Sequence, residues 1–181
     1  YNKATDKYII SPGTMAIKSP VTKIILEAAS RGTKILGICN GFQILTETGL
    51  LPGILQQNIY QKFICKNVYV KVNDKKNKYF NSIKKEVLEL HIAHNEGNYF
   101  CSKDELKSLK DNSQIAVTYC DKNGKESEEF NPNGALSNIA GIFNKNKNIL
   151  GMMPHPERMI DKCLSSNDGN FFFENLIKNL K

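Results

Sequence analysis

Residues 37–43 read G-I-C-N-G-F-Q, with Cys39 between two glycines at the end of the apolar run K-I-L-G-I (34–38). G-x-C-x-G at a strand-to-helix junction is the cysteine form of a nucleophile elbow. A nucleophile on such a turn has a strained backbone, often with positive φ. Glycines two residues to either side would relieve the collisions that follow. The thiol would sit at a helix N-terminus, where the dipole and free N–H groups favour thiolate. The N–H of Asn40 could face a developing oxyanion. The alternative is a small buried cysteine beside glycines that serve packing.

A thiol nucleophile needs a base, and the chain has three histidines, His91, His94 and His155. His155 lies in M-M-P-H-P-E-R (152–158), pinned by Pro154 and Pro156. In an extended segment His155 and Glu157 project to the same side, so Glu157 can orient the imidazole while its other nitrogen faces Cys39. H-P-E alone could equally be a rigid surface loop, with Glu157 paired to Arg158 or solvent. In L-H-I-A-H-N-E-G-N-Y (90–99) the spacing of three puts His91 and His94 on opposite faces of a strand. His91 reads as a strand residue without a chemical role. His94 to Asn98 reads either as a substrate-contacting strand end or as a turn. Cys65, Cys101, Cys120 and Cys163 carry no local signature and read as packing residues.

The elements that must hold these residues follow from local pattern. Ser19-Pro20 opens a helix with Ser at the N-cap and Pro at N1. Val21, Ile24, Ile25 and Ala28 give it an apolar face, and Gly32 ends it. The run 34–38 reads as a buried strand, and 42–51 as a short helix stopped near Pro52-Gly53. Together these form an α/β unit with parallel strands. Residues 63–72, 87–93 and 115–120 read as strands in a more antiparallel region. Ser102 and Glu105 are spaced as a capping box opening a helix to about Lys110. Segments 139–143 and 149–153 flank N-K-N-K-N as a hairpin. A final helix covers about 169–180, with Phe172, Phe173, Leu176, Ile177 and Leu180 mostly inward.

Bulk properties set limits. With 181 residues, 40% hydrophobic and 24% charged, the chain suits one domain with a sizeable core. No apolar run is long enough for a membrane span, and no signal segment opens the chain, so a cytoplasmic protein without membrane contact is expected. The net charge of +7 comes from 25 basic residues of which only Arg31 and Arg158 are arginines. The densest basic stretch, 71–78, looks like a solvated turn. Nucleic-acid binding is not expected, because the lysines are scattered rather than clustered with arginine and aromatic residues. Five cysteines without a C-x-x-C pair argue against a disulfide framework or a metal site.

The segments L-G-I-C-N-G-F-Q-I-L-T-E-T-G-L-L-P-G (36–53), K-F-I-C (62–65), I-A-H-N-E-G-N-Y (92–99), N-I-A-G-I (138–142) and G-M-M-P-H-P-E-R (151–158) closely resemble the glutaminase subunits of phosphoribosylformylglycinamidine synthases. These are class I, triad-type glutamine amidotransferases. The motifs come in family order and span nearly the whole chain. The resemblance implies an α/β, three-layer α/β/α flavodoxin-like fold with a mixed central sheet, and a single amidotransferase domain over 1–181. It implies that Cys39 attacks the side-chain amide of glutamine, giving a thioester and ammonia, with His155 as base and acid and Glu157 orienting it. Asn40 would supply one oxyanion donor, Gln43 would help bind glutamine, and His94 to Asn98 would border the pocket. No cofactor is expected on this chain. ATP and Mg2+ are expected on a partner synthetase subunit, with a small third subunit bridging the two. The alternatives are a docking protein of the same fold with little turnover, or another cysteine hydrolase.

The family's first strands and its glycine-rich P-G-G-F-S loop have no match. D-K-Y-I-I-S-P-G-T (6–14) only mimics them, because Pro12 to Cys39 aligns with the segment after that loop. The expectation is therefore a domain truncated at its N-terminus, lacking strands on one flank of the sheet and the second oxyanion donor. Loss of one such donor typically costs about 10²–10³ in rate, so the 181-residue chain alone is expected to be nearly inactive.

Overall fold

The computed structural model describes residues 16–164 and 166–179. The mimic stretch 6–14 and Leu180 lie outside them. Two neighbouring strands organise the site. β1 (Ile35–Ile38) and β8 (Ile149–Met152) run parallel, from Ile35 opposite Ile149 to Ile38 opposite Met152. Their C-terminal ends therefore emerge side by side, one leading to Cys39 and the other to His155. In open α/β sheets that edge is where ligands collect.

Among the described residues six strands form the sheet in the order β1-β8-β7-β6-β3-β4, and only β1 and β8 pair in parallel. β7 (Ile139–Phe143), β6 (Ile115–Cys120), β3 (Ile64–Val72) and β4 (Val87–His94) extend it antiparallel. The expected hairpin joins β7 to β8, closed by Asn144 Oδ1, which accepts from the backbone N–H groups of Asn148 and Ile149. This is the α/β fold with a mixed central sheet that the sequence implies. β1 is one of the two edge strands among the described residues, β4 being the other, and is only half-buried apart from Gly37. A smaller sheet pairs β2 (Ile54–Gln56) with β5 (Asn98–Phe100). The sequence reading contains neither strand, since three residues are too few for a period to register.

Helix α1 (Pro20–Ser30) begins as expected, with Ser19 Oγ accepting from Val21 N–H, and Gly32 follows its end at φ +76°. Its inward face differs from the expected one. Val21 and Ile24 are exposed, whereas Thr22 is buried and Ala29 packs on the core. Thr22 can be buried because its hydroxyl donates to the Ala16 carbonyl at 2.6 Å. α3 (Lys103–Asp111) carries the complete capping box between Ser102 and Glu105.

Helix α2 starts earlier than expected and spans Asn40–Glu47, with Cys39 itself at the N-cap. It packs on β8 through a missing side chain: a Cβ on Gly151 would lie 2.2 Å from Phe42 Cδ2. Phe42 then stacks on Tyr99 at 5.8 Å. Full burial of an aromatic side chain such as Phe42 contributes about 1.5–3 kcal/mol. α4 (Asp168–Asn179) buries Phe172 against Phe80, which meets Phe143 of β7. Ile177, expected inward, is exposed, because the helix presents one stripe to the sheet and Ile177 falls beyond it. The solvated turn covers only 73–78, since Lys71 and Val72 complete β3. Among the described residues no helix is long and apolar enough to cross a membrane.

Candidate active site

Cys39 sits at φ 52° and ψ −105°, a conformation that a non-glycine residue reaches only under strain of about 1–3 kcal/mol. The strain is held from both sides. Its N–H donates to the Met152 carbonyl at 2.8 Å, continuing the β1–β8 ladder, and its carbonyl accepts from Gln43 N–H as α2 begins. The two flanking glycines are not equivalent. A Cβ on Gly37 would lie 2.8 Å from the carbonyl carbon and oxygen of Gly41, whereas a Cβ on Gly41 would meet nothing within 4 Å among the described residues. The space is needed at Gly37 alone, where the strand passes under the turn.

The helix start does not make Cys39 acidic. Burial pushes the thiol above its ordinary value, and this outweighs the pull of the Asn40 N–H and the Arg158 guanidinium; Glu157 adds a further push upward. The N–H at the helix start does favour thiolate as expected, but burial outweighs it. The thiol therefore needs a base to give up its proton.

His155 stands at the end of β8 and is buried. Its N–H donates to the His91 carbonyl at 2.7 Å, and its Nδ1 lies 2.5 Å from Glu157 Oε1. The backbone path differs from the extended one expected. Pro156–Arg158 form a single 3₁₀ turn, and the turn itself brings the carboxylate back to the ring. Glu157 also lies 3.9 Å from the Arg158 guanidinium, so both of its predicted partners are present. An ionised carboxylate only accepts, so Nδ1 carries the proton and Nε2 presents a lone pair. That Nε2 is buried and has no partner among the described residues.

Cys39, Gln43, His94, Glu96, His155 and Arg158 line a cleft of about 470 Å³. That is within the size range of small-molecule sites, roughly 300–1,000 Å³. Four buried side-chain nitrogen or oxygen atoms lack partners among the described residues, and three belong to this cleft: Gln43 Oε1, His94 Nε2 and His155 Nε2. Unsatisfied buried polar groups are rare in native structures, and three converging on one cleft mark a place for a polar ligand. Gln43 is oriented by donating its Nε2 to the Glu96 carbonyl at 2.9 Å.

Sequence reasoning missed Asn58, which fixes His94. Asn58 is 1% exposed. Its Nδ2 donates to the carbonyls of Lys62 and His94, so its Oδ1 must face Gly97 N–H at 3.0 Å and His94 Nδ1 at 3.1 Å. His94 thus carries its proton on Nδ1, leaving Nε2 as an acceptor. Burial, reinforced by His155, lowers its pKa to about 4, which keeps the ring neutral. Gly97 lies flat on that ring, since a Cβ there would come within 2.2 Å of it. No local signature marks Asn58, because the partners it fixes in the site, His94 and Gly97, lie 36 and 39 residues away.

Asn98 does not line the cleft. It belongs to β5, opposite Gln56. Asn133, wholly buried, holds the same loop by donating to the Gly97 carbonyl at 2.8 Å. Phe63, 63% exposed, forms part of the cleft rim. Cys101 and Cys120 are buried as expected, but Cys65 and Cys163 are exposed, so the packing role fails for those two.

Residues 13–171 match the model of the CobB/CobQ-like glutamine amidotransferase domain. The chain is 62% identical over 169 residues to phosphoribosylformylglycinamidine synthase subunit PurQ of Pelagibacter ubique, covering 93% of this chain and 74% of that protein. It is 44% identical to the subunit of the same name from Aquifex aeolicus, again covering 93% and 74%. Among solved structures, PurLQS from Thermotoga maritima superposes with a TM-score of 0.79 at 36% identity, over 94% of this chain and 73% of that one. The strained cysteine turn, the histidine beyond the neighbouring parallel strand and these likenesses agree: the chain belongs to the PurQ family, the glutamine amidotransferase subunits of phosphoribosylformylglycinamidine synthase.

Proposed function

We propose that Cys39, His155 and Glu157 carry the glutaminase reaction of this family in this chain. His155 Nε2 takes the Cys39 thiol proton as sulfur attacks the side-chain carbonyl carbon of glutamine. The same proton then passes to the departing nitrogen, releasing ammonia and leaving a thioester. Water, deprotonated by His155, cleaves the thioester to glutamate. Glu157 holds the imidazole in the productive tautomer and stabilises its charged form. Asn40 N–H donates to the oxyanion. Gln43 Oε1 and His94 Nε2, both acceptors, take hydrogen bonds from the nitrogen groups of glutamine. The single observation behind this reading is the partnerless Nε2 of His155 in the Cys39 cleft, with Nδ1 committed to Glu157.

The ammonia goes to a synthetase subunit, where ATP and Mg2+ act in purine biosynthesis, with a small subunit bridging the two and the assembly in the cytoplasm. A glutamine analogue carrying an electrophilic diazoketone tests the assignment, with the synthetase subunit present. It should label Cys39 well ahead of the other four cysteines, and free glutamine should protect against it. Equal labelling of all five would favour a docking protein without turnover.

A further inference from the structure

The exposed face of β3 and β4 carries a second thiol–imidazole pair, beside the cleft that Ala93 helps to line. In their antiparallel register Asn67 stands opposite His91, Cys65 opposite Ala93 and Tyr69 opposite Glu89. Side chains alternate along a strand, so these six share one face. On it, Cys65 Sγ lies 3.4 Å from His91 Nε2, and His91 Nδ1 lies 2.9 Å from Asn67 Oδ1. Asn67 Nδ2 donates to Glu89 Oε1 at 3.1 Å.

The proton positions follow from the ends of this chain of contacts. The Glu89 carboxylate only accepts, so it fixes which end of the Asn67 amide is the donor. Asn67 Oδ1 then faces His91 and only accepts, so His91 carries its proton on Nδ1. Nε2 is left with a lone pair aimed at the Cys65 thiol. Partial burial, with Arg158 and His155 nearby, pulls the His91 pKa down, which favours the neutral ring that can accept. Cys65 is exposed, and a reagent can reach it. Cys163, the other exposed cysteine, has no such partner among the described contacts.

We propose that Cys65 is a second reactive thiol of this protein, with His91 as its base and Asn67 as the residue that fixes the base's tautomer, and that it forms mixed disulfides with small-molecule disulfides. The Cys65 proton moves to His91 Nε2. The thiolate sulfur attacks one sulfur of the disulfide, a new S–S bond forms and the old one breaks. The departing thiolate takes the proton back from His91. No further oxidant is needed, because the disulfide is itself reduced.

Oxidised glutathione is the probe, with peptide mass spectrometry reading the adduct at each cysteine over time. Cys65 should be modified about tenfold faster than Cys163. His91→Gln should bring Cys65 down to the Cys163 rate. Asn67→Leu, on an exposed position that leaves the core untouched, should slow it too. Circular dichroism establishes that each variant is folded. Equal wild-type rates at Cys65 and Cys163 would overturn the proposal, as would a Cys65 rate that neither His91→Gln nor Asn67→Leu changes.

Discussion

The backbone N–H of His155 donates to the carbonyl of His91 at 2.7 Å, so the proposed base hangs from β4 as well as from the end of β8. Cys39 is tied similarly, with its N–H on the Met152 carbonyl and its thiol 3.9 Å from the Ala93 carbonyl. Cys39 and His155 thus share two supporting strands, β8 and β4, that belong to opposite halves of the sheet order. A strained elbow keeps its geometry only when its surroundings over-determine it. Here the sheet supplies that constraint before any substrate arrives.

Glu157→Gln separates orientation from charge. The amide can present its NH₂ group to Nδ1, which then needs a lone pair there and puts the proton on Nε2, the wrong place for a base. In the synthetase-bound protein kcat for glutamine should fall about 10²–10⁴-fold, with KM little changed. A glutamate-release assay reads both. An unchanged kcat would remove Glu157 from the reaction.

Alkylation of Cys39 should respond to its two charged neighbours in opposite senses. Arg158 lowers the thiol pKa and Glu157 raises it, both against the larger effect of burial. Arg158→Gln should therefore raise the pKa and slow reaction with iodoacetamide near neutral pH. Glu157→Gln should lower it and speed the same reaction, even as turnover falls. All forms should converge at pH values where the thiol is fully ionised. Rates measured from neutral to strongly alkaline pH check the ordering; movement of both variants in the same direction would contradict it.

Much of the site's support is legible from short sequence patterns because the physics is local. The Ser102/Glu105 capping box, the N-K-N-K-N hairpin and the Cys39 turn each depend on residues within a few positions of one another. The inward face of α1 is not legible in this way, because periodicity counts Val21 and Ile24 as core, while a hydroxyl satisfied by Ala16 lets Thr22 go inward. Asn58 and the Cys65–His91 pair leave no local trace. Strand register and loop closure bring Cys65 and His91 together across 26 residues of chain, and Asn58 to His94 across 36. The raised pKa of Cys39 is hidden for a related reason: the helix start is visible in sequence, but the depth of burial is not.

The two glycines of the elbow should tolerate alanine unequally. Gly37→Ala drives a methyl into the Gly41 backbone and Leu45, which must shift, at a cost of about 1–3 kcal/mol. Gly41 lies inside α2 with open space at its Cβ, so alanine there should leave stability unchanged or raise it by up to about 1 kcal/mol. Urea unfolding of both variants reads the contrast. Equal losses would mean that the open space at Gly41 does not exist in solution.

Histidine 94 should make the protein acid-sensitive. Its folded-state pKa is depressed from 6.5 to about 4, mainly by burial. Above pH 6.5 the ring is neutral in both folded and unfolded chains, and its burial carries no proton penalty. As pH falls below that value the unfolded chain takes up a proton that the folded chain refuses. Stability is then lost at up to about 1.4 kcal/mol per pH unit, until the folded ring also titrates. His94→Gln cannot titrate, so its stability should fall less steeply between pH 6 and pH 4.5, by about one proton's worth of slope. Asn58→Ala should destabilise at every pH by about 1–3 kcal/mol, because it strands Gly97 N–H and His94 Nδ1 without an acceptor. Urea titrations across that pH range distinguish the two effects, one a change of slope and the other a constant offset. Parallel acid limbs for wild type and His94→Gln would mean that the buried ring titrates normally and that its Nε2 is not held as a neutral acceptor in the cleft.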